Sequence, residues 1–346
     1  MSAGRPEVVL AIIDDGFDLD HEDLPEAHPD AADFADGDDH PAAGPLDDHG
    51  TAVAGIALAR AGNGRGMVGF CPGCSFLPIR RGATDLDDAL AIAHAVDHEA
   101  SVINCSWGQS GASLAVTAAI GHAAEHGRDG KGAVVVFAAG NGGDDIEAIA
   151  DVSATAGGLA VMATGPDDQL RPDSNVGRYA LAAPAGGQLT TDRTLGGYAV
   201  GPYTDDFGGT SGGAPVVSGT AALFIAVAPQ ATASEVRAAL LETADRVADD
   251  VRFEGGALRR LHAGRALARA DGRDESAFTT ERCAMRALGE PDRPPLEADC
   301  AMRAPDGSGT HAGWWSMGAA LTLSGLARRL AARRATGRAR CAVRAR

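Results

Sequence analysis

Short apolar runs alternate along this chain with alanine-rich stretches of helical period, and that alternation constrains the fold more than any other feature. The runs at 8–13, 75–79, 101–104, 133–138 and 159–163 are bounded by Gly, Asp and Pro, the pattern of strands buried on both faces. Between them, 51–61, 86–99 and 114–126 read as helices. The alternation describes an α/β chain of three layers, a parallel sheet covered by helices on both faces. A further helix is expected over 234–246, opening on a Ser-Glu start signal with Val236, Leu240 and Leu241 on one face, and another ends near Ala270. After Asp271 the text turns charged, Pro-rich and aperiodic. We therefore expect one domain over 7–270, a linker over 271–311 and a short C-terminal tail over 312–346.

The charge distribution narrows the choice of partner. The formal net charge is -17, yet eight arginines and no acid fall in 328–346, which leaves 22 basic residues against 47 acidic ones in the body of the chain. A body so acidic repels nucleic acid and keeps the protein soluble. Of the six cysteines, Cys71 and Cys74 form a C-x-x-C. It lacks both a thioredoxin-like context and a second ligand pair for zinc, so the cysteines read as structural disulfides or free thiols. Disulfides favour an extracellular or cell-surface protein, although residues 1–6 are short and polar and read as no secretory signal. At the other end, 312–327 is mostly apolar, carries Trp314 and Trp315, and runs into Arg328 and Arg329. Membrane contact through an anchor or sorting tail and a basic amphipathic or unstructured tail are both compatible with that text.

Four motifs carry chemistry. The first run ends in Asp14-Asp15-Gly16, a carboxylate at the carboxyl edge of a parallel strand. Asp48-His49-Gly50-Thr51 opens a helix of small residues, where His49 can act as a general base if Asp14 holds its Nδ1. Gly209-Thr210-Ser211-Gly212-Gly213-Ala214-Pro215 leads into another small-residue helix, whose first turn is expected to take the proline. Ser211 at its amino end is a nucleophile candidate, because backbone N–H groups there stabilise negative charge. The buried run 133–138 is followed by Gly140-Asn141-Gly142-Gly143, which places an amide donor, Asn141, at the same sheet edge. The other nine histidines sit in polar or helical text and read as surface residues.

Asp14, His49, Asn141 and Ser211 stand in the order and flanking text of the subtilisin-like serine peptidases, a resemblance that covers roughly 7–270. It implies a sheet of about seven parallel strands and a serine endopeptidase using Asp14, His49 and Ser211 as its triad. Asn141 is then the oxyanion donor, and protein or peptide substrates are implied. The doubled Asp14-Asp15-Gly16, Ser106-Trp107-Gly108, the Gly-Asn-Gly-Gly at 140–143 and Leu189-Thr190-Thr191-Asp192 resemble the kexin or proprotein-convertase branch. By that likeness Ser106, Trp107 and Gly108 hold substrate backbone as an added strand, and Asp15 offers its charge to a basic side chain near the scissile bond. The chemistry needs no cofactor. Relatives often bind a structural calcium, and Asp30, Asp33, Asp36, Asp38 and Asp39 crowd one loop, although their spacing defines no ligand set. A monomer is expected. Two alternatives stand beside this reading: a catalytically silent relative used for binding, and a nucleotide-binding protein, which lacks both a G-x-G-x-x-G after the first strand and a P-loop lysine.

Overall fold

A computed structural model describes residues 3–249 and 257–278. They fall in the first of two compact units, 1–302; the second, 303–346, lies outside the described residues, and with it the apolar run at 312–327. The strands are Val9–Asp14 (β1), Ala32–Asp33 (β2), Ser75–Arg80 (β3), Ala100–Cys105 (β4), Val134–Ala138 (β5), Gly158–Thr164 (β6), Leu181–Pro184 (β7), Gln188–Thr191 (β8), Tyr203–Phe207 (β9), Asp245–Asp249 (β10) and Ala257–Arg260 (β11). The helices are His49–Leu58 (α1), Asp85–Asp97 (α2), Leu114–Gly130 (α3), Thr210–Val227 (α4), Ala233–Glu242 (α5) and Ala263–Ala270 (α6).

Nine strands form one sheet in the order β10-β11-β7-β6-β5-β4-β1-β3-β2, while β8 and β9 make a separate hairpin. All neighbours in the large sheet are parallel except β10 against β11. The expected seven parallel strands are therefore present, flanked by the two-residue β2 at one edge and the antiparallel β10 at the other. Alternate residues of β1 go to opposite faces. Leu10 and Ile12 pack with α1, α4, α5 and α6, whereas Val9, Ala11 and Ile13 pack with α2 and α3. Helix α4 is long and apolar enough to cross a membrane, but 83% of it is buried, which marks it as the core helix of this layer.

The C-terminal portion departs from expectation in two places. The helix expected over 234–246 stops at Glu242, and Asp245 and Arg246 join a ladder with Arg260 and Arg259. Buried Asp245 is held there by Arg260 and Arg265, an ion-pair set that a continuing helix would break. Residues 271–278, expected to begin a linker, instead fold back on α6: Arg269 pairs with Glu275, and Arg265 Nε donates to the Phe278 carbonyl at 2.9 Å. The remainder of the expected linker lies outside the described residues.

Candidate active site

Adjacent strands β1, β4 and β5 end at one edge of the sheet, and their exits supply Asp14, Ser106 and Asn141. Helix α4 starts at that same edge, since Thr210 bonds to both Gly140 and Asn141. Asp14 is buried. Its Oδ1 accepts His49 Nδ1–H at 2.8 Å and the Asp15 N–H at 2.9 Å, while its buried Oδ2 has no hydrogen-bond partner among the described residues. The unshared charge on Asp14 therefore acts on the imidazole. Burial opposes the imidazolium, but the charge and hydrogen bond of Asp14, with Asp15 and Asp48 behind it, carry the His49 pKa up to about 9.

Ser211 is the second residue of α4, preceded by Gly209 with φ +69°, a conformation that favours glycine. A Cβ on Gly209 would also lie 2.9 Å from Asn141 Oδ1. That oxygen accepts the Thr210 N–H at 2.9 Å and the Thr210 hydroxyl at 3.1 Å, and the Thr210 hydroxyl in turn accepts the Gly140 N–H at 3.0 Å. Asn141 is itself exposed, and its Oδ1 is occupied by these two bonds. Asn175 anchors the rest of this loop: its Oδ1 accepts the N–H groups of Gly142 and Asp144, and its Nδ2 donates to the Ala139 carbonyl.

The Ser211 hydroxyl donates to the Ser106 carbonyl at 3.1 Å rather than to His49, and the Ser106 hydroxyl donates to the Ser211 carbonyl at 3.1 Å. Phe207 lies between His49 and α4. Its ring meets the His49 ring edge-on at 5.4 Å and its Cδ1 is 3.7 Å from where a Cβ on Gly212 would stand. The structure thus brings His49 to Asp14, and Asn141 to the turn that carries Ser211, at one edge of the sheet. It also adds residues that sequence reasoning missed, namely Asn104, Asn175, Thr210 and Ser218. Isolated Asn and Ser codes carry no signal before the fold places them; Asn104 read only as the end of an apolar run.

The substrate-binding expectations fare unequally. Trp107 faces inward, donating Nε1–H to the Ile13 carbonyl at 2.9 Å beneath the Arg81 guanidinium, so its ring is a brace for the sheet edge. Asp15 does not present its charge to the cleft: Oδ2 accepts the His49 N–H at 3.2 Å and Oδ1 the Gly50 N–H at 2.7 Å. It caps the amino end of α1, where helix N–H groups have no internal partner. Burial, then repulsion from Asp14, raises its pKa to about 6 against the pull of those two hydrogen bonds. The branch motif at Thr190 and Thr191 acts on the same helix, with the two hydroxyls donating to the carbonyls of Ala52 and Thr51.

The acidic loop does not converge on a metal position. Arg80 already serves as its cation, reaching Asp33 at 3.0 Å, Asp36 at 2.7 Å and Asp47 at 2.8 Å, with Nε on the Asp15 carbonyl. Asp38 accepts the His40 N–H, and Asp30 lies beside His28 and His98. Among the described residues no group of three or more His, Cys, Asp or Glu side chains is arranged to hold a metal. These residues do not fit a calcium site. Cys71 and Cys74 form a disulfide and Cys105 is a buried free thiol; Cys283, Cys300 and Cys341 lie outside the described residues. Two histidines expected at the surface are buried. His21 is bonded to the Pro202 carbonyl, and His262 caps α6 by accepting the Arg265 N–H.

Comparison with known proteins agrees with this geometry. The Peptidase S8 subtilase family model matches residues 5–266. The chain is 31% identical over 278 residues to a calcium-dependent protease of Trichormus variabilis, covering 69% of this chain and 42% of that protein. It is 30% identical over 245 residues to kexin of Saccharomyces cerevisiae, covering 66% of this chain and 30% of kexin. Among solved structures, fervidolysin from Fervidobacterium pennivorans, described as a keratinolytic enzyme related to subtilisin, superposes with a TM-score of 0.64 at 27% identity, over 77% of this chain and 43% of that one. The chain spans less than half the length of these relatives. The parallel sheet, the order of Asp14, His49 and Ser211, and a family match over most of the described residues lead to one assignment: the chain belongs to the subtilase family.

Proposed function

We propose that the chain is a serine endopeptidase that cleaves protein or peptide substrates through an acyl-enzyme on Ser211. The observation that carries the reading is the 2.8 Å bond from His49 Nδ1 to Asp14, made at the mouth where Ser211 opens α4. That bond leaves Nε2 as the proton-accepting nitrogen. Rotation of the Ser211 side chain off the Ser106 carbonyl brings its hydroxyl to His49, which takes the proton as Oγ attacks the substrate carbonyl. The Asn141 amide and the Ser211 N–H donate to the oxyanion. His49 then returns the proton to the leaving amine, and water repeats the sequence to release the acid product. The backbone groups of Trp107 and Gly108 have no partner among the described residues, which supports their pairing with a substrate strand.

A catalytically silent binding role gains no support, because each reacting side chain is present. Calcium dependence belongs to the name of the Trichormus protein, and no step of this mechanism needs a metal. We take the protein to act as a monomer, and assign any membrane contact to the tail. The test is to compare the protein with its Ser211→Ala variant on a peptide mixture, reading cuts by mass spectrometry. Cleavage should fall by about 10⁴-fold or more in the variant. A folded wild-type protein that cuts nothing would overturn the reading.

A further inference from the structure

We infer that a cavity at the amino edge of the sheet, beside the buried Arg128, binds a free amino acid or short peptide by its carboxylate. The cavity holds about 650 Å³ and lies between the entry to β1 at Val8, the start of β4 at Ser101 and the last turn of α4 at Ile225 and Ala226. Each of these elements carries its catalytic residue at the opposite end, so the cavity is separate from the mouth that holds Asp14 and Ser211. Arg128 is 8% exposed, and no carboxylate pairs with it among the described residues. Its Nη1 donates to the carbonyls of Gly132 at 3.3 Å and Ala231 at 3.1 Å, and its Nη2 to that of Pro229 at 3.1 Å. Carbonyls satisfy those N–H groups but leave the charge whole, and burial pulls the Arg128 pKa down with no acid to offset it. Nε–H and one Nη2–H have no acceptor among the described residues. Nε and Nη2 share the edge by which arginine grips a carboxylate with two bonds.

Ser101 adds a second polar group. It is 5% exposed, lines the cavity, and its hydroxyl has no hydrogen-bond partner among the described residues. It is also the extra residue where β4 slips against β1, with Ala100 opposite Val9 and Val102 opposite Leu10, and a bulge of this kind re-aims a side chain. Of the five non-glycine residues with left-handed backbone among the described residues, three line this cavity: Glu99, Arg128 and Asp129. Such conformations cost energy and gather at sites where a fixed geometry is needed. Charge is sorted by depth. Arg128 is buried and Lys131 half-buried, whereas Glu7, Glu99 and Asp129 are exposed, with Arg5, at the rim. The inner cations attract an oxyanion, while the outer carboxylates repel a polyanion and accept an ammonium group. An amino acid or short peptide carries that pair of charges, and nucleic acid or an anionic membrane does not.

The experiment uses the purified full chain with triglycine as probe, beside triglycinamide, which lacks the carboxylate, N-acetyltriglycine, which lacks the ammonium, and inorganic phosphate. Lys131 is the chain's only lysine, so its acetylation by an N-hydroxysuccinimide ester, scored by mass spectrometry against the α-amine of the same chain, reads occupancy of this cavity. Calorimetry gives the affinity. We expect triglycine to bind with a Kd of roughly 0.1–1 mM and to slow Lys131 acetylation by about threefold or more at saturation. N-acetyltriglycine should bind more weakly, and triglycinamide and phosphate more weakly still. Removing Arg128 would strip three carbonyls of their donor and endanger the fold, so the weight falls on Ser101→Ala and Lys131→Gln, with a thermal melt to check folding. Each should weaken triglycine by about fivefold or more. Triglycine that leaves Lys131 unprotected, or that binds both variants as tightly as the wild type, overturns the site. Triglycinamide or phosphate binding as well as triglycine overturns the ligand class. None of these readings depends on turnover at Ser211, so failure here leaves the endopeptidase reading untouched, and a chain that cuts nothing leaves this inference in place.

Discussion

Ser106 and Ser211 exchange hydrogen bonds: each hydroxyl donates to the other residue's carbonyl at 3.1 Å. The cause is Pro215, four residues after Ser211, one turn deeper in α4 than the sequence reading placed it. Proline has no N–H, so the Ser211 carbonyl lacks its helical partner, and the Ser106 hydroxyl supplies one. A buried chain backs this contact, running from the Ser218 hydroxyl to Asn104 Oδ1 at 2.8 Å and from Asn104 Nδ2 to the Ser106 hydroxyl at 3.0 Å.

Ser106→Ala should accordingly destabilise the fold by about 1–2 kcal/mol, because it orphans the Ser211 carbonyl and the Asn104 amide. It should also lower kcat by about tenfold with little change in KM, since the nucleophile's backbone loses its tether but the substrate strand does not. Denaturant unfolding and steady-state kinetics check both parts. A variant with unaltered kcat would show that α4 alone positions Ser211.

Activity should depend on pH through His49. The base must be neutral to accept the Ser211 proton, and its pKa is held near 9, so kcat/KM should rise with pH and level off only around pH 9. The stability effect has the opposite sense. A folded-state pKa above the ordinary value of 6.5 means the Asp14–His49 pair contributes fully below pH 6.5 and is lost as pH rises through about 9. Asp15→Asn removes one of the charges raising that pKa and should shift the activity limb to lower pH. Rate profiles from pH 6 to 10 decide the matter, and a flat profile above pH 7 would contradict it.

Arg80→Ala should cost about 3 kcal/mol, because it strands the buried Asp33 next to Asp36 and Asp47. By contrast, removing Arg65, an exposed partner of Glu22, should cost no more than about 1 kcal/mol. A chelator should leave the wild-type melting temperature in place, since Arg80 already supplies the positive charge that this loop's carboxylates need. Denaturant unfolding of the two variants, with a chelator melt of the wild type, measures the contrast. Equal losses would mean that the loop carboxylates are solvated.

Much of this protein is legible in its amino-acid order alone. Buried parallel strands need continuous apolar runs, so β1, β3, β4, β5 and β6 could be read from periodicity, and Asp14, His49, Asn141 and Ser211 sit in short motifs whose neighbours announce their task. Other features depend on contacts between residues far apart in the chain. Asp245 and Arg246 lie at the end of a helical pattern, yet pairing with Arg260 and Arg259 turns them into a strand. Asp15 reads as a free charge beside the triad until α1 arrives with two unpaired N–H groups for it. Arg80 and Asp33, separated by 47 positions, convert an apparent calcium loop into an internal ion-pair cluster. Local sequence determines which backbone segments become strands and helices, because that depends on near neighbours; burial and pairing of polar groups depend on what the completed fold brings alongside them, and so the tertiary structure alone decided the tasks of Asp15 and Arg80.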